Sequence, residues 1–168
     1  MGGCGGALIT PDTVLFAAHC GDYTGASILI GAYTFEANSD AGNGTQRFCD
    51  KWVKSPIFDT EYRHDVALCK LNEPVYINKS VTKLVLNNDP NIPTVDDGGI
   101  GDDLIAMGFG LDGEGGTLQQ TLRDVTVPYV SNTVCQQNNP YPVYPDMLCA
   151  GKYNIYVTLH NVSYVIIV

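Results

Sequence analysis

Apolar positions fall in short runs of four to eight residues, broken by Gly, Pro, Asn and Asp, and only one stretch has a helical period. Residues 6–10 and 14–18 are two such runs, joined by the turn pair Pro11-Asp12. Residues 27–33 and 47–54 are rich in β-formers and flank a polar loop at 36–45. The run Asp65-Val66-Ala67-Leu68-Cys69-Lys70-Leu71 alternates and predicts a strand with one apolar face. Residues 104–110 and 118–131 predict two more strands, and 132–137 a short helix capped by Ser131 or Asn132. Many short strands and little helix imply an all-β fold, an antiparallel barrel or sandwich.

Between the two groups of strands lies a Pro-, Asn- and Asp-rich crossing, residues 87–103. It divides the chain into an N-terminal β unit (1–86), the crossing, a second β unit (104–152) and a tail (153–168). The tail has no Asp, Glu, Lys, Arg, Gly or Pro and ends in Val-Ile-Ile-Val. Its high β-propensity and lack of charge make it an aggregation hazard if unpaired. It reads as a segment foreign to the rest, with a buried last strand as the alternative.

Composition narrows the function. Only 16% of residues are charged and the net charge is −9, with nine scattered Lys and Arg. Binding to nucleic-acid phosphates is not expected. No apolar run is long enough for a membrane-spanning helix, and the start at Met1-Gly2-Gly3-Cys4 shows no signal peptide. Six Cys without a CxxC pair point to three disulfides and an oxidising, extracellular setting rather than zinc. Asn-x-Ser/Thr sequons at Asn43, Asn78 and Asn161 lean the same way.

His19 stands in Phe16-Ala17-Ala18-His19-Cys20 and Asp65 in His64-Asp65-Val66-Ala67-Leu68. Either alone is ordinary: a loop histidine, a carboxylate at a strand start. Together with their surroundings they are not. Cys4-Gly5-Gly6-Ala7-Leu8-Ile9, Ala17-Ala18-His19-Cys20 and the strand from Asp65 to Leu71 resemble the chymotrypsin/trypsin family of serine endopeptidases. Ala106-Met107-Gly108-Phe109-Gly110, the stretch Val125 to Ser131, and Met147-Leu148-Cys149-Ala150-Gly151 follow in the family's order. The resemblance covers about residues 2–151.

It implies a double antiparallel β-barrel of trypsin-like type, the first barrel nearly complete and the second about half present. Such folds run to about 220–250 residues in all, and this chain has 168. His19 would be the general base and then the general acid of acyl transfer, with Asp65 holding its tautomer. Disulfides Cys4–Cys20 and Cys135–Cys149 follow from the resemblance. Cys49–Cys69 is expected on neighbouring strands, with two buried free thiols as the alternative. Substrates would be proteins or peptides, and a monomer is expected.

The family's nucleophile sits in a G-D-S-G-G segment, which this sequence lacks. After Gly151 the only serine is Ser163, without the flanking glycines of a nucleophile turn. The oxyanion hole and specificity pocket go with that segment. The chain therefore reads as an endopeptidase domain truncated at both ends and inactive by itself. The alternatives are a non-catalytic homologue that binds protein, or an unstable fragment. Retention of both His19 and Asp65 favours the enzyme. No cofactor is expected. Glu36 and Asp40 lie in a loop where some family members bind calcium, yet a solvated turn is the simpler reading, as it is for Asp96, Asp97, Asp102 and Asp103.

Overall fold

The structure, a computed structural model, describes residues 4–34, 44–111, 116–117 and 119–151, and the backbone of 166–167. Five strands form the first sheet: β1 (Ala7–Thr10), β2 (Thr13–Phe16), β3 (Ser27–Ile30), β4 (Thr45–Lys54) and β5 (Ala67–Leu71), in the order β1-β2-β5-β4-β3. All neighbours are antiparallel.

β4 curls this sheet into a half-barrel. Its first part, Thr45 to Phe48, pairs with β3, and its second part, Cys49 to Lys54, with β5. The register shifts between Cys49 and Lys51, where an extra residue bends the strand and strengthens its twist.

Side-chain alternation decides which face is closed. In β5, Ala67, Cys69 and Leu71 are buried, while Leu68 and Lys70 point out. In β3, Ile28 and Ile30 turn inward. Cys69, Leu71, Ile28 and Ile30 pack with Leu8, Val14, Phe16 and Val81 into one core. Trp52 and Tyr23 lie against Phe16, with ring centroids 5.4 and 5.6 Å from it. At Gly31 the chain takes φ 75°, and a Cβ there would fall 2.4 Å from a methyl of Val81.

The second sheet is β6 (Ile100–Gly108), β7 (Arg123–Val130), β8 (Cys149–Ala150) and β9 (Ile166–Ile167), in the order β8-β7-β6-β9. β6 starts inside the stretch that sequence assigned to the crossing. The turn at Asp96–Gly99 closes there, with Asp96 Oδ1 accepting from the backbone N–H groups of Gly98 and Ile100 at 2.8 and 3.1 Å. The helix α1 (Asn132–Asn138) is capped by Ser131, whose hydroxyl accepts from Val134 N–H. The end of the tail is a strand: Ile166 and Ile167 pair with Met107 and Ala106. A mostly β chain with a curled first sheet and a partial second barrel is the trypsin-like architecture that the motifs implied.

Three disulfides join Cys4–Cys20, Cys49–Cys69 and Cys135–Cys149, with Cα–Cα separations of 6.2, 5.6 and 6.3 Å. Cys49 and Cys69 are the least accessible pair, at 1% and 0% exposure, so this bridge belongs to the core itself. Cys135 and Cys149 pack with Val130 into the second sheet's own small core.

Candidate active site

The separation of 46 positions between His19 and Asp65 is closed by strand pairing. β2 and β5 are antiparallel neighbours with Phe16 opposite Ala67. Continued past those residues, the same register sets positions 18 and 65 against each other, so both site residues leave the sheet at one end.

His19 sits in a 3-10 turn, Ala18–Cys20, that follows β2. Ala18 is buried and anchors the turn. Gly21 closes it at φ 89°, its N–H donating to Ala18 O at 3.2 Å. The Cys4–Cys20 bond ties the same turn to the approach of β1. His19 is therefore held from both sides.

Asp65 meets His19 twice. Its Oδ2 lies 2.6 Å from His19 Nδ1, and its Oδ1 accepts the His19 backbone N–H at 2.8 Å. One carboxylate thus fixes both the ring and the turn that carries it. With Nδ1 as donor to an anionic oxygen, the ring's proton sits on Nδ1 and Nε2 is left as the basic nitrogen. The side chains of His19 and Asp65 are 32% and 21% accessible, so the pair is open on one side. The ring of Tyr62 meets the His19 ring edge-on, at 5.8 Å and 74°.

The turn before Asp65 is unusual. Tyr62 and His64 both have positive φ, 61° and 54°, a conformation that costs a non-glycine residue free energy. Asp59 holds the turn from within: Oδ1 accepts from Glu61 N–H and Arg63 N–H, and Oδ2 takes the Arg63 guanidinium at 2.7 Å. The same contact raises the Arg63 pKa. Partial burial pushes the Asp59 carboxyl up, but the hydrogen bonds from Arg63 and Glu61 win and hold it below its ordinary value.

The turn is also held from the second barrel, 82 and 83 positions further along. Asp146 Oδ2 accepts the His64 N–H at 2.5 Å, and this bond draws the Asp146 carboxyl below its ordinary range. Tyr144 donates its hydroxyl to Glu61 at 2.5 Å, which raises the phenol pKa, and its ring lies under the Arg63 guanidinium at 5.2 Å. Asp146, Tyr144, Glu61, Arg63 and His64 were not singled out from sequence. No local pattern marks them, because the bonds that join Asp146 to His64 and Tyr144 to Glu61 span 82 and 83 positions.

Of the other candidates, Glu36, Asp40 and Ser163 lie outside the described residues. Asp102, on β6, reaches back to the crossing, where its Oδ2 accepts from the Thr94 N–H and hydroxyl. Cys4, His19 and Cys20 cluster closely enough to suggest metal ligands. The two sulfurs are bonded to each other, however, and offer no thiolate.

What this arrangement can do is take a proton at Nε2 while the developing imidazolium is stabilised at Nδ1. Comparison with known proteins identifies the family. The family model described as Trypsin matches residues 1–156. The serine proteinase stubble of Drosophila melanogaster is 33% identical over 157 residues, 88% of this chain and 19% of stubble. The serine protease filzig of the same fly is 30% identical over 161 residues, covering 90% of this chain and 9% of filzig. Rabbit (Oryctolagus cuniculus) coagulation factor IX is 26% identical over 151 residues, 88% of this chain and 54% of that protein. The chain thus spans no more than about half the length of these relatives. Among solved structures, neuropsin, a serine protease expressed in the limbic system of mouse brain, superposes with TM-score 0.81 at 23% identity, over 98% of this chain and 71% of neuropsin. This chain is a member of the trypsin family of serine proteases.

Proposed function

We propose that this chain carries the base half of a serine endopeptidase centre: His19 as general base and then general acid, Asp65 as the group that sets its tautomer. The observation that carries the reading is the double hydrogen bond from Asp65 to the ring and backbone of His19. A carboxylate that merely capped a turn would need only the backbone contact. One that also takes Nδ1–H leaves Nε2 free to deprotonate a hydroxyl and later to protonate a leaving amine. Substrates are proteins or peptides, the setting is extracellular, as three disulfides suit, and the chain is monomeric.

The hydroxyl itself is not supplied here. The sequence has no G-D-S-G-G segment, the family's glycine turn that exposes the serine and supplies an oxyanion donor. A base without its nucleophile hydrolyses nothing. Loss of that one group costs about 10⁶ in turnover in a serine protease of a different fold.

The test is turnover of a peptide ester and labelling by a fluorophosphonate. The 168-residue chain is expected to show neither. A longer product carrying a G-D-S-G-G segment is expected to show both and to lose both on His19→Ala. Hydrolysis by the short chain, abolished by His19→Ala, would show that the nucleophile is present after all.

A further inference from the structure

One sequence motif is not absorbed by the protease chemistry, and the fold gives it a specific setting. The segment Val75 to Val81 leaves β5 and is pinned at both ends. Val75 and Val81 are 4% and 7% exposed and belong to the first core. Everything between them, Tyr76, Ile77, Asn78, Lys79 and Ser80, is exposed. The loop is thus a short arch on two buried feet.

At its crest is the sequon Asn78-Lys79-Ser80. The Asn78 side chain is oriented. Its Oδ1 accepts from Ser80 N–H at 2.7 Å and Val81 N–H at 3.0 Å, while the Asn78 N–H donates to Val81 O at 2.9 Å. With the carbonyl oxygen committed to the turn, the amide Nδ2 faces away from it, and no hydrogen bond from Nδ2 occurs among the described residues. Two positions earlier stands Tyr76, 83% exposed. Its ring covers no core and its exposure is otherwise unexplained.

We propose that Asn78 carries an N-linked oligosaccharide whose first sugar rests on the ring of Tyr76. The donor is a lipid-pyrophosphate-linked oligosaccharide. Asn78 Nδ2 attacks the anomeric carbon and forms the C–N bond. The C–O bond to phosphate breaks, its electron pair leaving on the lipid pyrophosphate. The transferase's base takes one amide proton, and nothing is oxidised or reduced. The disulfides place the chain where such donors occur. An aromatic face two residues before the sugar offers a surface for its C–H groups, which converts an exposed ring into a covered one.

The chain is translated with a cleavable secretory signal into microsomes, in an Asn43→Gln, Asn161→Gln background so that any glycan reads Asn78 alone. A single endoglycosidase-sensitive shift is expected, lost with Asn78→Gln and with Ser80→Ala and kept with Ser80→Thr. An unmodified Asn78 in folded, disulfide-bonded product overturns the site. Microsomal transfer needs no export, so poor secretion of a variant does not mask the result. The contact with Tyr76 is read separately. The glycosylated chain is expected to have a higher Tm than its enzymatically deglycosylated form, and Tyr76→Ala to abolish that difference while Tyr76→Phe preserves it. An equal Tm gain in Tyr76→Ala overturns the aromatic contact.

Discussion

The two sheets of this protein are built from similar sequence material and end up with different interiors. The first encloses a continuous core, from Leu8 and Phe16 through Ile28, Cys69 and Leu71 to Val81. In the second, the described buried cluster is Val130, Cys135 and Cys149, and no residue of β6 is buried. Ile105 and Val125, apolar residues of the second sheet's long strands, are 41% and 56% exposed. A curled sheet can bury its own concave face, whereas a flat one needs a second layer. The first sheet curls because β4 bends at its bulge and changes partners. The second sheet has a register shift of its own, between Ile100 and Asp103, but β6 pairs with β7 on both sides of it and does not change partners there. The site follows this division. His19 and Asp65 are both fixed by the closed sheet, while the second barrel contributes Asp146 and Tyr144 as outside supports.

The largest expected effect tests the closed core directly. Phe16→Ala removes the ring that packs against both Tyr23 and Trp52 and should cost about 3–5 kcal/mol. Val125→Ala, on the open face of β7, should stay within about 0.5 kcal/mol. Urea unfolding followed by fluorescence reads the first sheet, since Trp52 is the only tryptophan. Equal losses for the two variants would erase the contrast.

Next in size is the bridge of the weaker unit. Replacing both Cys135 and Cys149 by Ala opens a loop of 14 residues, worth about 3 kcal/mol of chain entropy. Hydrogen exchange should show β6 and β7 losing protection while β2 and β5 keep theirs. Loss of protection in both sheets together would mean that they fold as one unit.

Asp65→Ala should cost on the order of 1–3 kcal/mol, from the unpaired backbone N–H of His19 and the lost charge-assisted bond. Its sharper readout is magnetic resonance: the low-field proton on His19 Nδ1 should vanish, and Asp146→Ala should leave it in place but broadened. An unchanged low-field signal in Asp65→Ala would remove Asp65 from the site.

The smallest effect is one of pH. The Asp146 carboxyl lies below its ordinary value of 3.8, chiefly through the His64 N–H. The folded protein therefore binds this proton less readily than the unfolded chain. The resulting stability is fully present above pH 3.8 and is lost as pH falls through the folded value. Asp146→Asn keeps an acceptor for His64 N–H without the titration, so its stability should fall less steeply in that acid range. Parallel acid limbs for the two proteins would show that the clasp carries no proton linkage.

Much of this was readable from the chain alone. Alternation announced β5, because a half-buried strand must repeat every two residues. The cap at Ser131 and the turn at Pro11-Asp12 are local chemistry, and local chemistry is written locally. His19 and Asp65 were legible because their flanking residues are a family's own. Element ends were less so: β6 begins at Ile100, four residues before its apolar run, because pairing with β7 extends a strand beyond what hydrophobicity demands. The tail's final residues read as foreign by composition, yet two of them pair with β6, since backbone hydrogen bonding is indifferent to which side chains it carries.

By itself, then, the sequence determined the class of fold, the cysteine count that calls for an oxidising setting, and the motifs that single out His19 and Asp65. Only the tertiary structure decided that one carboxylate serves both the ring and the backbone of His19, and that Asp146 and Tyr144 reach across to hold the turn before it. Those contacts join residues 46 to 83 positions apart. No period or motif encodes such a distance, and it is set by how strands pair and where a sheet bends.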